Sequence, residues 1–181
     1  MAAARQIVER DGAGKLTFDE LVKESGLTRG GITYHFPTKE DLLRGLLEAD
    51  FQQWDDAETA LTPTDCDPET AKLLGFIRTL TAQDESHRRF LCGMLSAATL
   101  DPSLMDPCRQ ELRERLGRKQ WTDRDLRLHL VHLAAEGLMW QELFQMYSMP
   151  GPARARLVAL MEVLARQWGG GTSRTKVAKE A

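Results

Sequence analysis

The sequence is short of most things that would cross-link, anchor or catalyse. It has three cysteines among 181 residues, Cys66, Cys92 and Cys108. They are odd in number, scattered, and form no C-x-x-C pair. That argues against a disulfide framework and a structural zinc site, and it fits a reducing cytoplasm. No run approaches the roughly 18 apolar residues of a membrane span. The opening MAAARQIVERDG lacks an apolar core of signal-peptide length. G-x-S-x-G, H-E-x-x-H, G-x-x-x-x-G-K-[ST] and the Rossmann glycine pattern are all missing. An enzyme is therefore not expected, and neither is a metal or a cofactor. There is no basic excess either: the net charge is −3. Any affinity for phosphate must come from local distribution of charge.

What is present is helical periodicity almost throughout, with no stretch that alternates convincingly as a strand. The length suits one large or two small domains. The spacing predicts an all-α chain of about nine helices: 2–11, 18–25, 29–36, 39–60, 68–83, 87–99, 107–118, 123–147 and 153–168. Thr17, Thr28, Thr38 and Thr122 stand at N-cap positions, three of them with an acidic residue three places on. Gly26 ends the second helix as a C′ glycine does, and Pro37 stops the third. The turn-rich Thr62–Asp67 is a candidate domain boundary. The Gly-rich polar tail, 169–181, is expected to be disordered.

One segment contradicts its own helical pattern. Gly26–Phe36 reads GLTRGGITYHF and places Gly30 and Gly31 in the first turn of the third helix. A glycine costs a helix interior about 1 kcal/mol relative to alanine. The second and third helices are joined by a tight turn at Gly26-Leu27, the layout of a helix-turn-helix, whose second helix enters the DNA major groove. Bare glycines let that helix bring its backbone close to base edges and phosphates. Burial of Leu27, Ile32 and Phe36 against the first and fourth helices would offset the propensity cost. Thr17 and Thr28 put hydroxyls at helix N-termini, where phosphates are favoured. Arg29 is placed for a guanine edge or a phosphate. Thr33, Tyr34 and His35 end the helix with hydrogen-bonding groups, and Lys39 adds a cation. Taken singly, the threonines are also ordinary caps, Tyr34 and His35 ordinary packing residues, and Lys39 a solvated lysine. The joint pattern is the specific signal.

The run LTFDELVKESGLTRGGITYHFPTKEDLLRGLL resembles the DNA-binding domain of the tetracycline-repressor (TetR) family of bacterial transcriptional regulators, over about residues 3–50. The resemblance implies a helix-turn-helix DNA-binding domain at 1–47 and a helical ligand-binding and dimerisation domain at 48–168. It implies a cytoplasmic homodimer that binds a double-stranded operator and is released by a small, mostly apolar effector. By the same resemblance, Thr28, Arg29, Gly30, Gly31, Thr33, Tyr34 and His35 fall where members touch DNA, and Thr17 and Lys39 fall at phosphate-clamping positions. The family usually carries Tyr where this chain has Thr33, so Tyr34 is expected to take over part of that contact. The basic arm that many members carry before the first helix is absent. Either the start lies upstream of Met1 or arm contacts are lacking. A ligand-independent architectural DNA-binding protein of the same fold is the alternative function.

Residues 1–47 hold seven Lys/Arg and seven Asp/Glu. A neutral domain should bind weakly as one copy and need a dimer. The eighth helix is apolar nearly all round, which calls for burial on every side. One way to meet that is a core on one face and a second subunit on the other. A two-fold four-helix bundle of the last two helices is expected, with Leu128, Val131, Ala135, Leu138, Leu157, Leu160, Met161, Leu164 and Trp168 at the interface. The alternative is that this stripe is only intramolecular core. An effector pocket is expected from Phe76, Phe90, Met94, Met105, Trp121, His129, Met139, Trp140 and Phe144. His87, His129 and His132 are its possible polar anchors.

Overall fold

A computed structural model describes residues 1–170. Of the tail expected to be disordered, 169–181, residues from 171 onward lie outside them, and Gly169 closes the last helix instead. Among the described residues there are nine α-helices and no strand, as the periodicity predicts. They are α1 (Ala2–Asp11), α2 (Phe18–Ser25), α3 (Arg29–His35), α4 (Lys39–Leu61), α5 (Pro68–Thr81), α6 (Glu85–Leu100), α7 (Asp106–Gly117), α8 (Asp123–Leu143) and α9 (Gly151–Gly169). Short 3₁₀ turns at Ala13–Lys15 and Pro102–Met105 join α1 to α2 and α6 to α7.

Local chemistry sets most boundaries. The Thr17 and Thr28 side chains accept from the backbone N–H of Glu20 and Gly31. Thr122 and Asp125 form a reciprocal capping box. Gly26 takes the left-handed conformation, φ +70°, that ends α2 and turns the chain toward α3; a side chain there would be strained. Several predicted ends shift: α5 stops two residues early, at Thr81, and α9 begins two residues early, at Gly151. α6 begins two residues early because the Asp84 carboxylate caps the His87 N–H. α8 stops at Leu143 rather than residue 147, because Phe144 closes its last turn and Gln145 adopts φ +50°.

The helices form two compact units that interleave along the chain. The first comprises residues 1–57 and 82–119. Its core is built by Ile7, Val8, Leu16, Leu21, Ile32, Leu42, Leu46, Phe90, Met94 and Leu104. α6 lies directly on α1, and Gly93 permits that closeness. A Cβ there would stand 2.7 Å from the Val8 side chain and 3.2 Å from its carbonyl oxygen. The second unit comprises residues 58–81 and 120 onward. α5, α8 and α9 pack against each other in pairs around Leu74, Ile77, Leu128, Val131, Ala135, Leu138, Met161 and Ala165. Arg124 ties its ends: it pairs with Asp67 and Glu69 at the start of α5 and donates to the Gly169 carbonyl. Arg78 of α5 grips Glu162 of α9 through two hydrogen bonds.

Candidate nucleic-acid interface

α2, the turn at Gly26-Leu27 and α3 sit on a base formed by α1 and the first half of α4. Leu21 and Ile32 are their buried contacts, and Phe36 is partly buried against the same core. Leu27, expected to be buried, is 60% exposed. α3 is only seven residues long and Ile32 fills its inner face, which leaves the turn residue projecting outward.

The outer face of α3 carries the predicted residues. Arg29, Gly30, Gly31, Tyr34 and His35 are exposed and Thr33 is half-buried. Nothing inside the protein requires a glycine at position 30. A Cβ built at Gly30 meets no atom within 4 Å, and one at Gly31 meets only the Thr28 hydroxyl, at 3.2 Å. Both have ordinary helical backbone rather than a positive φ. Tyr34 is 82% exposed and stands edge-on to the His35 ring, with centroids 5.0 Å apart. The Thr33 hydroxyl is turned back to the Arg29 carbonyl, 3.0 Å away.

Two further predicted residues, Thr17 and Lys39, converge with Arg29 beside α3. Thr17, Arg29 and Lys39 line one cleft of about 210 Å³ with Leu16, Phe18, Asp19 and Leu42. Each cation is held by the protein. Lys39 Nζ donates to the Gly14 carbonyl at 3.2 Å. The Arg29 guanidinium pairs with Asp19 and lies 5.6 Å from the centre of the Phe18 ring. The caps Thr17 and Thr28 accept through oxygen, which leaves each hydroxyl a hydrogen to donate. Thr38 and Asp41 cap α4 reciprocally. The Thr38 hydroxyl holds the Asp41 carboxyl below its ordinary value. Asp41 is thus occupied as a cap.

Asp19, Phe18 and the Gly14 carbonyl were not singled out from sequence. Asp19 and Arg29 are ten residues apart on different helices, and no local spacing rule links them. Arg10 is likewise paired, with Glu24 of α2 and with Asp11.

The residues predicted for the C-terminal domain fall differently. Leu128, Val131, Ala135, Leu138 and Met161, expected at a subunit interface, are buried in the core of their own unit. Leu157, Leu164 and Trp168 are partly buried against it, and Leu160 is exposed. The large apolar residues left open include Leu126, Leu130, Leu133 and Trp140 on α8, Phe144, Met146 and Tyr147 just after it, and Leu160 and Val163 on α9. Five of the nine residues expected at the interface are thus core of their own unit, and the apolar side chains that α8 leaves exposed are others. Among the predicted pocket residues, Phe90 and Met94 are core of the first unit, to which the half-buried Met105 also belongs. The other six lie in the second unit. There Phe76, His132, His129 and Trp121 form a ladder of rings, with successive centroids 4.2, 5.9 and 5.2 Å apart. Trp140 stacks on Phe144 at 5.7 Å, and Met139 is half-buried. Among the described residues, no group of three or more His, Cys, Asp or Glu is placed to hold a metal ion, and no helix is long and apolar enough to cross a membrane.

A seven-residue helix with a glycine face, set by a tight turn against a capped neighbour and followed by a helical domain, defines a helix-turn-helix transcriptional regulator. Residues 1–46 match the family model described as bacterial regulatory proteins, tetR family. Residues 71–166 match the one described as the tetracyclin repressor-like C-terminal domain. The chain belongs to the TetR family of transcriptional regulators, which are DNA-binding proteins rather than enzymes. Solved structures share the fold at low identity. A transcriptional regulator from Rhodococcus sp. Rha1 is 19% identical over 91% of this chain and 90% of its own, with a TM-score of 0.63. A TetR family regulator from Pseudomonas syringae pv. tomato is 16% identical over 91% of each chain, with a TM-score of 0.59. The fatty acid degradation regulator FadR from Bacillus halodurans is 17% identical over 94% of this chain and 96% of its own, with a TM-score of 0.53. No curated protein matches the chain.

Proposed function

We propose that the protein is a homodimeric, effector-released repressor whose α3 reads the DNA major groove. One observation carries the reading: Gly30 faces open space, and a side chain at Gly31 would meet only the Thr28 hydroxyl that caps the same helix. A helix accepts that cost where something outside must approach its backbone. Tyr34 and His35 flank the bare face as exposed hydrogen-bonding groups, and Arg29, Lys39 and the Thr17 hydroxyl gather beside it as a phosphate grip. Arg29 exchanges Asp19 for DNA. Because Thr33 is tied to its own helix, Tyr34 is the residue that reaches the backbone.

Two copies would place their α3 helices about one helical turn of DNA apart, 34–36 Å. The surface for that pairing is the apolar face of α8 and α9 through Leu126, Leu130, Leu133 and Leu160. The effector, a small and mostly apolar molecule with an aromatic part, is taken up beside the Phe76–His132–His129–Trp121 ladder. It releases DNA by binding better to the DNA-free conformation, since equal affinity for both shifts nothing.

The test is a salt-dependent titration of the protein against DNA from upstream of its own gene, beside Arg29→Ala and Tyr34→Ala. A dimeric complex is expected, with a steep salt slope that falls by about 0.9 for each phosphate contact removed. Absence of any sequence-specific complex at low salt would refute the reading.

A further inference from the structure

Away from α3, the first unit holds a buried charged junction that neither fold nor recognition explains. Asp50 of α4 is 5% exposed. Its Oδ1 accepts from Arg5 Nη1 of α1 at 2.7 Å and lies 3.4 Å from His87 Nδ1 of α6. The same His87 nitrogen is 3.1 Å from Arg5 Nη2. Arg5 also donates through Nε to Glu9 at 2.8 Å, and its guanidinium lies 4.1 Å above the Phe90 ring. Ser86 of α6 donates to Glu9 at 2.8 Å. Three helices therefore meet at one guanidinium.

The Arg5–His87 bond requires one protonation state. An arginine only donates, so His87 Nδ1 must accept, and the neutral ring carries its hydrogen on Nε2. A proton on Nδ1 would face the guanidinium at 3.1 Å, remove the Arg5–His87 bond, and make the ring compete for the carboxylate that Arg5 holds. The charged groups facing the ring are Arg5 and Glu9 from α1, Asp50 from α4, and Asp84 at the start of α6. Burial holds the His87 ring below its ordinary value; Asp50, Asp84 and Glu9 pull it up and Arg5 pushes it down. Neutral His87 is therefore the form that closes the junction.

We propose that Arg5, Asp50 and His87 form a proton-operated tie that fixes α1 to α4 and α6, so that protonation of His87 frees α1 and weakens operator binding. The connection to DNA rests on the reading of α3 given above. α1 packs directly on α2, and α2 packs directly on α3. Asp50 and His87 are positioning residues, acting on α3 through α1.

The experiment uses the full chain and His87→Asn, whose Oδ1 can accept from Arg5 and never gains a proton. Operator affinity is measured between pH 8 and 5.5. In parallel, the His87 ring is followed by NMR and amide exchange is followed across α1. Wild-type affinity should fall about fivefold or more relative to the Asn variant, the low end of typical coupling between sites. The fall should track the His87 titration, with faster α1 exchange in wild type alone. His35 is present in both proteins, so the comparison isolates position 87. Parallel affinity curves, or α1 exchange unmoved as the ring titrates, would overturn the proposal. DNA binding by neither protein at any pH, with α1 exchange rising as the ring titrates, would leave the tie standing and remove the recognition reading instead. If the Asn variant fails to fold, Gln replaces it, and the wild-type α1 exchange decides alone.

Discussion

Leu130→Ala separates the two faces of α8. Leu130 is 58% exposed, while its neighbour Val131 is 2% exposed. Full burial of a leucine is worth roughly 1.5–3 kcal/mol. If the open face meets a second copy, the exposed part of Leu130 contributes about 1 kcal/mol, and a two-fold interface counts it twice. The dimer should weaken by about 2 kcal/mol, roughly 30-fold in its Kd. Monomer stability should hardly change, because little of the side chain is buried within the protomer. Val131→Ala should do the reverse: a loss of about 1 kcal/mol or more in unfolding free energy, from transfer and cavity terms, with self-association intact. Sedimentation equilibrium across a concentration series reads the first quantity, and urea unfolding reads the second. A Leu130→Ala protein that dimerises like wild type, or a Val131→Ala protein that is stable but monomeric, would refute the assignment of faces.

Two shorter predictions concern α3 and the second unit. Gly30→Leu should leave stability unchanged or raise it by up to about 1 kcal/mol, since the added side chain meets nothing. It should cost operator binding at least tenfold; retained binding in a protein of equal melting temperature would show that the glycine face approaches no DNA. The Arg78 hydrogen bonds hold the Glu162 carboxyl below its ordinary value. A lowered carboxylate stabilises above its unfolded pKa, about 4.3, and that contribution is lost as pH falls through the folded value. Glu162→Gln should therefore flatten the acid limb of the thermal-stability curve below about pH 4.5 and change little of its shape near pH 7. An acid limb identical to wild type would contradict the role given to this pair.

The helices were legible because each boundary is a local event: a threonine with an acidic residue three places on, a glycine after α2, a proline after α3. The ends of α6 and α8 were missed where the signal was weaker, an aspartate cap at Asp84 and a non-glycine left-handed residue at Gln145. The recognition segment was legible for a different reason. Paired glycines in a first turn contradict helix propensity, and that contradiction is local too. The inward face of α8 was not legible. Leucines stand on both sides of that helix, and periodicity reports that both are apolar, not which meets α5 and α9. The Arg5–Asp50–His87 junction was out of reach for the same cause. Its members are 45 and 82 residues apart on three helices, and only the closeness of α1 and α6 over Gly93 assembles them.

The cations of the first unit bear on how such a chain would meet DNA. Arg10 is spent on Glu24, Arg29 on Asp19, Arg5 on Asp50, and Lys39 on a backbone carbonyl. A phosphate approaching this face must first displace a partner at Arg29 and Lys39. Exposed pairs of this kind are worth about 0–1 kcal/mol, so the exchange is nearly neutral and little net affinity comes from each site. One copy thus gains mainly from released counterions at a few phosphates. Two copies held rigidly would double those contacts at the entropic cost of one association. On the proposed function, the apolar face of α8 and the weak phosphate grip beside α3 would be two parts of one device: a site too weak to hold DNA alone would become useful, and releasable, because its spacing to a second site is what an effector would change.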